Sequence, residues 1–310
     1  MEHHLISSIL FATVVAGTPL IIVALGELIT EKSGVLNLGA EGMMAMGAIA
    51  AFAVVHRTGS PWLGVLGGMT GGMLMSLVFG VLTLSLQANQ VASGLALAIF
   101  GEGLAVFIGK PFESVSLKAI APIHVPLLAD IPVIGPALFR QQSLVYVSWA
   151  LCVALIWFLY KSRAGLVLRS VGEAPSAAHA IGYPVIRIRY LATLFGGAMA
   201  GMGGAFLSVF YTPMWAEGMV AGRGWIALAL VVFATWRPLR IIGGAYLFGG
   251  VMITQLFIQG SGLQIDIPPQ FLSSLPYCAT IVVLVIISRN SQTIRLNSPM
   301  SLGKPYRSDT

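Results

Sequence analysis

Apolar stretches of about 20 residues, the length an α-helix needs to cross a hydrocarbon core of about 30 Å, recur along this chain with only short polar connections between them. They constrain the fold more than any motif, because a backbone in lipid must satisfy its own hydrogen bonds. Nine segments meet this description, roughly 5–27, 34–55, 61–86, 91–109, 143–160, 188–211, 220–236, 240–259 and 270–288. The expected fold is therefore all-α, a polytopic transmembrane helix bundle of about nine spans. Residues 1–288 form its single membrane domain. Trp236-Arg237-Pro238-Leu239-Arg240 makes a very tight turn between the seventh and eighth segments, and a re-entrant segment within 220–259 is the alternative there.

Composition agrees. Charged residues are 9% of the 310 and mean hydropathy is +0.89, against about 25% charged in a soluble domain. The 36 glycines suit close helix packing in lipid. Net charge is +6, but no basic run interleaves with aromatics, so membrane lipids rather than nucleic acid are the expected surroundings. Cys152 and Cys278 lie in separate apolar segments without metal-ligand spacing, and read as buried inert thiols. Met1-Glu2-His3-His4 lacks the positive region of a cleavable signal. Residues 289–310 are polar, with Pro299 and Pro305, and are expected to form a disordered tail.

The distribution of Lys and Arg sets orientation. Nine spans with the N-terminus outside put the C-terminus in the cytoplasm. Lys32, Lys161, Arg163, Arg169, Arg187, Arg189, Arg237, Arg240, Arg289, Arg295, Lys304 and Arg307 then lie inside, and Arg57, Lys110, Lys118, Arg140 and Arg223 outside. The polar island 161–189 is cytoplasmic on this reading. Within it Pro175 opens a two-turn helix that Gly182 and Pro184 stop. Such a helix is too short to stand alone in water, so packing must hold it, on the membrane domain or in a partner's groove. An ordinary interhelical loop is the plainer reading.

Three other constellations are candidates for function. Gly34, Asn37 and Gly39 interrupt the apolar pattern where the second span should begin, and Glu41 follows. This is either a capped turn or a broken helix with Asn37 and Glu41 at a lined cavity. Glu102 sits between Gly101 and Gly103 inside the fourth span, with Asn89 and Gln90 at its inner end. An intramembrane carboxylate is a functional candidate, or else bonds a neighbouring helix. Asn37, Glu41, Asn89, Gln90 and Glu102 are the translocation-pathway candidates. Tyr211, Trp215, Glu217, Arg223 and Trp225 cluster at an outer end, as interface anchors or as a vestibule for a polar solute carrying a ring.

Catalytic and nucleotide motifs are missing. No Gly-x-x-x-x-Gly-Lys-Ser/Thr loop cradles phosphate, and no His-Glu-x-x-His or paired Cys-x-x-Cys holds a metal. The glycine run 196–204 lies inside an apolar span without βαβ context and reads as helix packing. No enzymatic activity is expected of the chain.

Three motifs in order carry a family resemblance. Gly34-Val35-Leu36-Asn37-Leu38-Gly39 with Glu41-Gly42, Arg169-Ser170-Val171-Gly172-Glu173 with Ala177-Ala178 and Gly182, and Gly222-Arg223-Gly224-Trp225-Ile226-Ala227-Leu228-Ala229 resemble signatures of the nucleoside or simple-sugar group of ABC importer permeases. That group belongs to the branched-chain amino acid and ribose permease superfamily. Ser176 to Gly182 matches the spacing of the Glu-Ala-Ala-x-x-x-Gly loop, with serine in place of glutamate. The similarity covers about residues 5 to 288.

The resemblance implies a multi-pass permease subunit of an ATP-driven importer in the cytoplasmic (inner) membrane of a bacterium. It would move nucleosides, or alternatively ribose-type or other simple sugars. The implied partners are a homologous permease in a heterodimer, a cytoplasmic ABC ATPase that binds the ATP, and an extracytoplasmic substrate-binding protein docking near 111–142 and 211–223. This chain would bind no cofactor. Arg169, Gly172, Glu173, Ser176, Ala177, Ala178 and Gly182 would couple to the ATPase, Ser176 without the usual carboxylate. His179 would add a pH-sensitive charge or face solvent without a role. The rival from another class is an ion-coupled secondary transporter using Glu41 and Glu102.

Overall fold

The computed structural model describes residues 2–260 apart from 127, 130 and 133, scattered positions between 271 and 285, and residues 297–307. The described elements are all helical. They are α1 (Glu2–Lys32), α2 (Ala40–Thr58), α3 (Pro61–Gly80), α4 (Gln90–Gly109), α5 (Ile134–Phe139), α6 (Ser143–Lys161), α7 (Arg163–Glu173), α8 (Pro175–Ala180), α9 (Val185–Ala205), α10 (Arg223–Phe233) and α11 (Pro238–Gly260). Single π turns extend α3 over Val81–Ser85 and α9 over Phe206–Tyr211. Local chemistry sets the starts. Asn89 accepts a hydrogen bond from the Ala92 N–H at 3.0 Å, and Ser162 accepts from the Gly165 N–H at 2.9 Å.

Among the described residues, 6 helical stretches are long and apolar enough to cross a membrane: Ile6–Lys32, Pro61–Ser85, Gln90–Phe112, Ser143–Lys161, Val185–Tyr211 and Pro238–Gln259. The expected count of about nine is corrected to this number. The segment 34–55 is not one continuous apolar helix, because α2 starts only at Ala40 and carries Glu41 in its first turn. The segment 220–236 holds a helix of 11 residues, about 16 Å long at 1.5 Å per residue. The segment 270–288 lies largely outside the described residues.

The centre of the bundle is α9, buried almost throughout and packed on α1, α2 and α3. Its glycines allow this. A Cβ on Gly201 would overlap the Gly68 carbonyl oxygen of α3, and one on Gly72 would overlap the Gly197 carbonyl oxygen. Small residues thus bring the two backbones into contact, so that van der Waals packing holds helices where no hydrophobic driving force acts between them. The packing role read from the glycine run is the one the structure shows.

Contacts sort the elements into two ends. At one, the loop after α4 meets the end of α9, with the Leu117 N–H donating to the Pro213 carbonyl at 2.8 Å, and the start of α6 joins through Gln142 Nε2 and the Phe210 carbonyl at 2.6 Å. The other gathers the end of α1, the foot of α9, α7, α8 and residues 297–307. It carries Lys32, Lys161, Arg163, Arg169, Arg187, Arg189, Lys304 and Arg307, and is here called the basic end. Residues 297–307 are packed there. Cys152 is buried as expected, but Cys278 is exposed.

Candidate functional site

Two interruptions of helix meet inside the bundle. The first is the stretch 33–39 between α1 and α2. Gly34 takes φ +91, and the chain then climbs beside α4. The Leu36 N–H donates to Gln90 Oε1 at 2.8 Å, Leu38 packs on Gly94, and a Cβ on Gly42 would lie 2.5 Å from the Leu97 carbonyl oxygen. That places the first turn of α2 about 10 Å above the start of α4. Asn37 fixes the stretch. Its Nδ2 donates to Glu27 Oε1 at 2.8 Å and its Oδ1 accepts from the Gly39 N–H at 3.0 Å.

The second interruption is 212–222, which leads from the far end of α9 to the head of α10. There Glu41 joins the two. Its Oε1 accepts from the Gly222 N–H and its Oε2 from the Gly224 N–H, each at 2.7 Å. A helix N-terminus offers unpaired N–H groups and about half a positive charge, so a carboxylate is the side chain that satisfies it best. The approach needs glycine at 224, where a Cβ would stand 2.7 Å from Glu41. The foot of α10 is held by a second acid: the Trp236 Nε1–H donates to Glu31 Oε2 at 2.6 Å. Glu27, Glu31 and Glu41 are all buried. Three buried carboxyl groups therefore bind the two broken elements to α1 and to each other.

Beside this junction a cavity of about 410 Å³ opens between α4 and 212–222. Glu102, Glu217, Gly103, Trp215 and Met219 are among its lining residues. Glu102 and Glu217 are exposed, whereas Trp215 is only 4% exposed and lies against Gly109. Arg223 bonds within its own turn. Its Nη1 donates to the Met219 and Val220 carbonyls at 3.0 and 3.1 Å, and its guanidinium lies 6.0 Å from the Tyr211 ring. Trp225 stands half exposed at the head of α10.

At the basic end α7 and α8 lie across the foot of the bundle. Pro175 opens α8, and Gly182 at φ +92 ends it. Glu173, Ser176, Ala177, His179 and Gly182 are exposed, Ile181 to 73%. Ala178 packs inward with Val171 and Val185. Gly172 is buried, and a Cβ there would overlap the Lys32 carbonyl oxygen. Arg169 lies over the Tyr160 ring at 5.5 Å.

Comparison with known proteins decides the family. Residues 9–287 match the family described as branched-chain amino acid transport system / permease component. The chain belongs to this permease family. It is similar, at 41% identity over 97% of both chains, to a putative glucose ABC transporter permease protein of Haloferax volcanii. A guanosine ABC transporter permease protein of Bacillus subtilis is 35% identical over 98% of this chain and 97% of its own. A nucleoside ABC transporter permease protein of Lactococcus lactis is 35% identical over 87% and 88%. The chain is thus a multi-pass membrane component of transport and not an enzyme. Among the described residues no group of three or more His, Cys, Asp or Glu side chains could hold a metal ion.

The permease distributes the candidate residues in three ways. Asn37 and Glu41 hold the interruptions, Asn89 caps α4, and Gln90 anchors Leu36; these are bracing positions. Glu102 and Glu217 share the cavity with Trp215, while Tyr211 and Arg223 pair apart from it. Of the residues at the basic end, Gly172 and Ala178 face the bundle, Arg169 is half-buried against Tyr160, and Glu173, Ser176, Ala177 and Gly182 face out. Sequence reasoning missed Glu27, Glu31, Trp236, Arg189 and Ser301. The signal for the first two was present: two carboxylates four residues apart share one face of a helix, at and just past the end of the first apolar span.

Proposed function

We propose that this chain is the permease subunit of an ATP-driven importer for a small neutral polyhydroxylated solute, a simple sugar in the first instance. The observation that carries the driven mechanism is the display of α8 at the basic end. Exposed Ile181, at the end of α8 whose Ser176 and Ala177 are also exposed, is an apolar contact offered at the basic end, as a protein partner would use. The partner is a cytoplasmic ABC ATPase, seated on Arg169, Glu173, Ser176, Ala177 and Gly182. By the excess of Lys and Arg the basic end faces the cytoplasm. A second, homologous permease and an extracytoplasmic binding protein complete the assembly, in the cytoplasmic membrane of a prokaryotic cell.

The cavity supports the substrate class. Glu102 and Glu217 accept hydrogen bonds, which hydroxyl groups donate, and buried Trp215 leaves little open ring face on which a nucleobase could stack. The relative at 41% identity is named for glucose, which favours the same choice. Nucleosides are the second reading, because the two relatives at 35% are named for guanosine and nucleosides. Proteoliposomes holding the full assembly should take up labelled sugar only with ATP inside. Excess unlabelled sugar should compete, and a nucleoside should not. Uptake by this chain alone on an ion gradient would overturn the ATP-driven reading, and competition by the nucleoside alone would reverse the choice of substrate.

A further inference from the structure

Residues 297–307 touch every element that meets at the basic end. Lys32 Nζ of α1 donates to the Asn297 carbonyl at 2.7 Å. Ser301 donates to the Gly172 carbonyl of α7 twice, from its backbone N–H at 3.0 Å and from Oγ at 2.6 Å. The Gly303 N–H reaches the Gly34 carbonyl at 3.3 Å, inside the first interruption. Tyr306 lies beside His179 of α8, ring centroids 6.3 Å apart, and its carbonyl accepts from Gln87 Nε2, before α4, at 3.4 Å.

Arg189, at the foot of α9, is the hub. It is 1% exposed. Its Nε donates to the Ser33 carbonyl at 3.1 Å, its Nη2 to Ser301 Oγ at 3.0 Å and its Nη1 to the Lys304 carbonyl at 3.4 Å, while the Tyr306 ring lies 5.8 Å from Cζ. These partners are neutral. A buried cation is costly unless its donors are met, so the guanidinium holds the tail and the interruption together or is left unsatisfied. Arg189 thereby clamps 301–306 to Ser33, four residues before Asn37.

We propose that residues 297–307 are a brace, with Arg189 as its positioning residue, that carries displacement of α7–α8 into the interruption at 33–39. The proposal rests on the reading of α7–α8 as the ATPase contact. Displacement of Gly172 pulls Ser301 through two hydrogen bonds, and Ser301 pulls Arg189 and Gly303, which hold Ser33 and Gly34. Asn37 and Glu41 follow along the chain, so the head of α10 and the cavity beside Glu102 respond to the partner at the other end.

The test uses the whole assembly in proteoliposomes. Truncation after Pro299 and, separately, Ser301→Ala are compared with the intact chain for ATPase co-purification, ATP hydrolysis and solute uptake. The brace predicts unchanged co-purification and hydrolysis within about twofold, with solute moved per ATP reduced about tenfold by truncation and severalfold by Ser301→Ala. A Leu36→Cys/Gly303→Cys pair, oxidised in a background without Cys152 and Cys278, should leave uptake intact, because the two segments move together. Undiminished solute per ATP after truncation, or uptake blocked by the cross-link, overturns the brace. Loss of ATPase co-purification by both tail variants would make the segment a docking surface and also overturn it. Failure of the intact chain to bind an ATPase would instead sink the importer reading. If truncation prevents folding, Ser301→Ala and the cross-link decide the matter.

Discussion

Glu41 accepts a 2.7 Å hydrogen bond from the N–H of Gly224, 183 residues further along the chain. With the matching bond from Gly222 it ties the entry of α2 to the head of α10, an 11-residue helix too short to cross a membrane alone.

Removing that acceptor should be costly. Glu41→Ala leaves two donors without a partner, at about 1–3 kcal/mol each. The variant is expected to lower the midpoint of thermal unfolding in detergent and to cut uptake by tenfold or more. Glu41→Gln, which keeps one acceptor, should fall between. Wild-type stability and uptake in Glu41→Ala would show that the junction is not needed.

Asn37 separates shape from charge. Asn37→Ala loses the hydrogen bonds to Glu27 and Gly39, worth about 0.5–1.5 kcal/mol each, and a weaker one to Met43 Sδ. Asn37→Asp keeps the shape but sets a second carboxyl group against Glu27, where a donor stood at 2.8 Å. The order of stability, read as protein remaining monodisperse after heating, should be wild type, then Ala, then Asp. Asp more stable than Ala would contradict the assignment of donor and acceptor.

The α3–α9 crossing makes a steric prediction. Gly201→Ala should destabilise the permease by about 1–3 kcal/mol, since the added methyl group forces the backbones apart. Gly103→Ala adds a methyl group to open space and should change stability by less than about 0.5 kcal/mol. Equal melting curves for the two variants would refute the close-contact account.

Glu102 is exposed on the cavity, so Glu102→Ala should leave folding unchanged within about 0.5 kcal/mol. If the cavity lies on the solute's route, uptake should weaken mainly as a raised KM, and Glu217→Ala should act in the same direction. Unaltered KM in both variants would remove the cavity from the route.

Much of this was legible in the residues. Gly34, Asn37 and Gly39 marked the first interruption because turn chemistry acts over a few residues. Pro175 and Gly182 bounded α8 for the same reason, and the basic island announced the end of the bundle where it lies. The span count was not legible in the same way. Hydropathy sums residues over a window and does not register whether their helix is continuous, so 34–55 and 220–236 read as spans although each contains a break. The packing of 297–307 was not legible either, because the N–H groups of Ser301 and Gly303 and the carbonyl of Lys304 are met by Gly172, Gly34 and Arg189, far away in the chain.

What the sequence determined by itself was the class of structure, the position of the first break and the polarity of the two ends, all consequences of local demands: lipid on a run of 20 residues, a turn on three or four. Only the tertiary structure decided which group meets which break, Glu41 with the head of α10, Glu31 with its foot, Asn37 with Glu27, Arg189 with the tail. Those pairings join residues far apart in the chain, and a buried donor takes whichever acceptor the packing brings within about 3 Å.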